Sequence, residues 1–183
     1  MGDDHGGVGE EEPAASFQPP IARDGPDRIL VRLDASERLL LGRLLADLRA
    51  RLEDPEGADA AGAMARLFPP AFPDDPEAQA SYASLVHEDL LDGRRARIRE
   101  VESTFDAEVL DDEQALAWMG VLNDLRLVMG TSLGVSGDDE DRPPEAGDPD
   151  AFRRAVYGFL GWLVGWFVEA LEPTLPDVPD DDD

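Results

Sequence analysis

Residues 111–134 read DDEQALAWMGVLNDLRLVMGTSLG, and their spacing decides the fold class. Trp118, Leu122, Leu125, Met129 and Leu133 recur every three or four positions, the period of an α-helix with one face in a core. Asp111 or Asp112 can cap the first free amides, and Gly134 suits the left-handed turn that ends a helix. Asn123-Asp124-Leu125-Arg126 interrupts the apolar run. At about 100° per residue, Asn123 and Arg126 fall beside the core stripe. Partly buried polar groups must find partners, so Asn123, Asp124 and Arg126 are expected to form a structural polar network tying this helix to its neighbours.

The same signals extend in both directions. Asp34 and Glu37 have capping-box spacing, and Leu41, Leu44, Leu45, Leu48 and Leu52 form a stripe stopped by Pro55. A short helical stretch over 60–67 ends at Phe68-Pro69-Pro70. Asp75-Pro76-Glu77 starts another helix with proline in its first turn, running through Tyr82, Leu85 and Val86. A second segment or a bend follows with Leu91, Ile98, Val101 and Phe105; Gly93 weakens it by about 1 kcal/mol relative to alanine. Asp148-Pro149 opens the last helix, whose stripe is Phe152, Val156, Leu160, Leu163, Phe167 and Leu171, and Pro173 closes it. Ile29–Leu33 has a β-like composition, but a lone segment makes no sheet.

The expectation is therefore an all-α fold, a single compact bundle of five to six helices over residues 28–172. A body of that length buries about 70% of its unfolded surface. Residues 1–27 and 173–183 are expected to be disordered acidic tails, and 136–149 a mobile acidic loop.

The 183 residues carry 42 acids and 16 bases, all arginine, for a formal charge of −26. Three stretches, 1–27, 136–150 and 172–183, each contribute −6. The rest has the ordinary balance of a soluble domain. So acidic a surface repels phosphate backbones and anionic membranes, which makes direct nucleic-acid binding and membrane association unfavourable. Without lysine there is no P-loop and no pyridoxal Schiff base. Without cysteine there is no thiol catalysis, disulfide exchange or cysteine-zinc site. Met1–Glu10 lacks the positive charge and apolar core of a secretory signal. The longest uncharged apolar run, Ala155–Val168, has 14 residues, short of the roughly 20 that span a bilayer. A cytoplasmic location is expected.

Few residue groups invite chemistry. Asp138-Asp139-Glu140-Asp141 lacks the alternating ligands and glycine of an EF-hand and reads as a solvated linker. His87 is the one histidine of the body, with no second histidine to complete a ligand set. Gly130, Gly134 and Gly137 do not match a dinucleotide fingerprint. No catalytic residues, cofactor or metal are expected. Arg94-Arg95-Ala96-Arg97-Ile98-Arg99 is the sole concentration of positive charge. Arg94, Arg95, Arg97 and Arg99 form the candidate partner-binding patch, against the simpler reading of a solvated helix face with Asp92–Arg95 and Arg99–Glu102 pairs. Gly158, Gly161 and Gly165 lie among Tyr157, Phe159, Trp162, Trp166 and Phe167 in a helix apolar almost all round. It is read first as the central helix, with a subunit contact on its second face as the alternative; homo-oligomerisation stays open.

Three segments taken together resemble a known family: Arg66-Leu67-Phe68-Pro69-Pro70-Ala71-Phe72 with Asp74-Asp75, then Trp118 to Gly134, then Val156-Tyr157-Gly158-Phe159-Leu160. In this order they look like the AosR family of actinobacterial oxidative-stress regulators, long catalogued as a domain of unknown function. The resemblance covers about residues 29–171, and L-N-D-L-R-L-x-x-G-T-x-L-G is its most specific part. It implies a cytoplasmic, non-enzymatic helical regulator of transcription whose partner is an alternative sigma factor or RNA polymerase. The family's redox sensing is attributed to a cysteine disulfide, which this cysteine-free chain cannot form. The alternatives are a DNA-binding regulator acting through Arg94–Arg99, and an uncharacterised acidic enzyme built around His87.

Overall fold

The computed structural model describes residues 17–54, 61–135 and 148–172. In chain order these form β1 (Ile21–Arg23), β2 (Ile29–Val31), α1 (Ala35–Glu53), α2 (Ala61–Leu67), α3 (Pro76–Ser103), β3 (Val109–Leu110), α4 (Asp112–Leu133) and α5 (Ala151–Leu171). Residues 1–16 of the tail expected over 1–27, most of the acidic loop and the tail from 173 lie outside the described residues.

The helices start where their caps place them. Asp34 accepts from the Ser36 and Glu37 amides while Glu37 reaches back to the Asp34 amide. Asp75 caps α3 with Pro76 at its first position, and Asp111 with Gln114 forms a second capping box on α4. Gly134 ends α4 at φ 64°. The last helix departs from expectation: Asp148 and Pro149 form a turn, and α5 begins at Ala151 after Asp150, whose side chain makes no cap hydrogen bond. Asp148 accepts instead from the Asp150 amide and from Arg154.

The central helix is α4, not the expected α5. It packs against α5, α3, α2, α1 and β3 and buries Ala115, Ala117, Trp118, Val121, Leu122 and Leu125. Trp118 lies between Phe105 and Phe167, with centroids at 5.8 and 6.3 Å and near-parallel planes. Its Nε1 donates to Thr104 Oγ1 at 2.9 Å, which satisfies the one polar atom of a buried indole. Helix α5 instead lies on the outside. It buries Val156, Leu160, Leu163, Phe167 and Ala170 against α4 and β1, whereas Phe152, expected in that stripe, is exposed.

The fold is mostly helical, but it is not all-α. β1, β2 and β3 form an antiparallel sheet in that order, with Ile21 opposite Val31 and Ile29 opposite Leu110. Ile21, Ile29, Val31 and Leu110 point into the core. The expected lone extended lead-in at Ile29–Leu33 therefore has two partners, and the boundary expected at residue 28 moves forward to include β1. Strands of two or three residues carry too little periodicity to be read. The missed signal is Asp24-Gly25-Pro26-Asp27, a turn sequence between two β-like runs. Gly25 and Asp27 take φ of 129° and 51° there. Arg23 fastens the sheet to α5 and α4: Nε donates to the Ala170 carbonyl at 2.6 Å and Nη2 pairs with Asp112 at 2.8 Å.

Helix α3 runs unbroken for 28 residues, so Gly93 lies in a helix interior rather than at a bend. A Cβ at Gly93 would meet no atom within 4 Å. Gly93→Ala is expected to raise stability by about 0.5–1 kcal/mol, measured by urea unfolding.

The Ser36 hydroxyl and the Glu37 amide hold the Asp34 carboxyl below its ordinary range. Its folded-state value is depressed, so its contribution is complete above the unfolded value and lost as pH falls through the folded one. Asp34→Ala is expected to lower Tm at neutral pH, with the gap to the parent closing as the medium becomes strongly acidic. Asp34→Asn, which still caps, should leave most of the neutral-pH Tm intact in the same melting series.

Candidate functional site

The arginines of α3 turn toward α4. Arg94 pairs with Asp124 through Nη1, donates Nη2 to the Leu67 carbonyl at 2.6 Å, and sets its guanidinium 5.1 Å from the Phe68 ring centroid. Arg97 approaches the other Asp124 oxygen at 3.6 Å, its stem lying over Gly120, where a Cβ would come within 3.2 Å of it. Arg95 donates to the Leu52 carbonyl at 2.8 Å, at the end of α1, and to Asp92 at 3.2 Å. A cation there also complements the negative end of the helix dipole. Arg99 is the exposed member of the four. Three of the four candidate docking arginines are thus engaged in holding α1, the end of α2 and α3 around α4.

Asp124 is the one buried charged residue among those described. It needs both guanidinium groups, because an unpaired carboxylate in the core would be strongly unfavourable. Arg126 projects the other way and lies 4.9 Å from the Tyr157 ring centroid, beside Gly161 of α5. Asn123 is half-buried. Asp124 and Arg126 thus anchor α4 to α3 and to α5 respectively.

A different surface stands out on α5. Phe152, Phe159, Trp162 and Trp166 repeat at helical spacing along one side. Phe159–Trp162 and Trp162–Trp166 centroids are 6.0 and 6.3 Å apart, and Phe17 extends the row at 5.9 Å from Trp166. Phe17, Phe152 and Trp162 are 71%, 73% and 44% exposed. Contiguous exposed aromatic surface rimmed by polar residues marks interaction sites on soluble proteins.

The family model for a domain of unknown function, DUF2017, matches residues 17–171. The chain belongs to this family. The match takes in Phe17 and the sheet as well as all five described helices. Neither the curated proteins nor the solved structures contain a match.

The remaining candidates are plain in geometry. His87 is exposed, its ring 4.9 Å from that of Phe68. Among the described residues no three acidic, histidine or cysteine side chains gather as a metal site would require, and no described helix is long and apolar enough to cross a membrane. Asp138–Asp141 lies outside the described residues. A groove of about 320 Å³ between α1 and α4 has a floor of Leu44, Leu48, Leu125 and Met129, with Asp47 and Arg51 at its edge.

Asp124→Ala leaves two cations facing an apolar core. Both arginines are partly exposed, at 18% and 42% of their side chains. The expected loss is therefore about 2–3 kcal/mol, below the ~3–5 typical of a fully buried pair, read by urea unfolding, with Asp124→Asn intermediate.

Proposed function

We propose that this protein is a non-enzymatic regulator that works through protein contact, as its resemblance to AosR-type transcriptional regulators implies. The observation that carries this reading is the aromatic row on α5. Exposed Trp and Phe side chains are the residue types that anchor protein interfaces. Water contact costs free energy at each exposed ring, which a partner's surface would recover. The charge distribution supports a protein rather than a nucleic-acid partner, because the net charge is −26 and the main arginine cluster is largely engaged internally. The expected partner is RNA polymerase bearing an alternative sigma factor, with sensing independent of cysteine.

The test is a titration of labelled full-length chain with purified actinobacterial RNA polymerase, as core enzyme and with alternative sigma factors. Binding is expected, and Trp162→Arg should weaken it tenfold or more, equivalent to about 1.4 kcal/mol. No binding to any form of the polymerase at low salt would refute the proposed partner.

A further inference from the structure

Glycines on α4 and α5 fall into two groups. Gly120 receives Arg97, Gly130 receives Tyr157 and Gly161 receives Arg126; a Cβ at those positions would stand 3.2, 3.1 and 3.3 Å from the respective side chains. Gly158 and Gly165 receive nothing within 4 Å. Both lie about one turn from Trp162, on the outer side of the helix. An exposed indole therefore stands between two unfilled troughs on a single face. Knob and hole on one patch is the condition for an isologous contact, in which residue i meets j and j meets i.

We propose that α5 pairs antiparallel with α5 of a second copy, each Trp162 indole seated against Gly158 or Gly165 of the other. Phe159 and Trp166 flank the seam on one side, and Phe17 closes that edge. This inference rests on the reading of α5 as a protein-contact surface and names what covers that surface in the protein by itself.

Charge selects the orientation. From Ala155 to Val168 the helix carries none. Its first turn holds Arg153 and Arg154, each 3.0 Å from an aspartate, Asp150 and Asp148. Its far end holds Glu169 and Glu172 without a base between them. Parallel pairing sets those glutamates against their own copies; antiparallel pairing sets them beside a turn in which Asp150 and Asp148 balance Arg153 and Arg154. Like charges opposed across an interface are unfavourable, so the antiparallel form wins.

The area suits a weak dimer. At roughly 200 Å² per aromatic side chain, the exposed parts of Phe17 and Trp162 come to roughly 230 Å². Phe159, Trp166 and the glycine troughs bring a copy to on the order of 450 Å², or about 900 Å² for the pair, the size of a transient interface. A reversible dimer follows. Two copies each of charge −26 repel at long range, and salt screens that repulsion, so added salt should tighten the dimer.

Sedimentation equilibrium of the full chain from ~1 μM to ~1 mM should show a monomer–dimer equilibrium. Raising NaCl from about 0.05 to 0.5 M should strengthen it. Trp162→Arg and Gly165→Gln should each weaken dimerisation at least tenfold. Gly165→Gln adds a side chain in open space, so its Tm should not fall, which separates a blocked seam from a damaged fold. Because the chain has no cysteine, orientation is read from introduced thiols: Ala155→Cys and Glu169→Cys protomers should cross-link when mixed and oxidised, but neither with itself. A monomer at every concentration, a dimer indifferent to both substitutions, or self-linking of Ala155→Cys would each overturn the proposal. The polymerase titration is scored separately. A monomer whose polymerase binding still depends on Trp162 removes the dimer and keeps the contact surface. A Trp162-dependent dimer that ignores polymerase keeps the dimer and removes the proposed partner.

Discussion

Burial of α4 from nearly every side is the constraint on which the rest of the architecture depends. Helices α1, α2, α3 and α5 and strand β3 all pack on it. A helix so enclosed must satisfy any polar group inside the protein, because water does not reach it. Asp124 is that group, and the positions of Arg94 and Arg97 follow from it. The same crowding explains Gly120 and Gly130: each leaves room on α4 for a long side chain from a neighbour. Trp118 completes the arrangement by joining Phe105, just beyond α3, to Phe167 of α5 in one stack.

The arrangement divides labour between two surfaces. Positive charge, scarce in this chain, is drawn inward to hold helices together. Arg23 binds the sheet to the start of α4 and the end of α5, Arg38 reaches the Phe105 and Ala107 carbonyls, and Arg95 closes the end of α1. The net charge left outside is acidic, and α5 carries an aromatic row along its surface. An acidic exterior keeps molecules apart except where an uncharged face allows approach, and α5 supplies such a face. The proposed regulator and the proposed dimer both draw on this contrast.

Local signals were legible where a single residue or period sets the structure. Asp34 with Glu37, Asp75 with Pro76, and Gly134 mark helix ends through their own backbone and side-chain chemistry, and leucine spacing gave the buried face of α1. Asp124 was legible as a residue needing partners, but the identity of those partners was not. Arg94 and Arg97 lie 30 and 27 positions away, and nothing local distinguishes them from solvated neighbours.

The sequence by itself determined the helices, the caps of α1, α3 and α4, the acidic balance and the absence of thiol and lysine chemistry, because these follow from composition and short-range spacing. Only the tertiary structure decided that α4 rather than α5 is central. Both helices are apolar enough to be enclosed, and which one is covered depends on how the other elements pack. Tertiary structure also decided that Ile21–Arg23, Ile29–Val31 and Val109–Leu110 make a sheet. Segments so short acquire β structure from partners far along the chain, not from their own sequence.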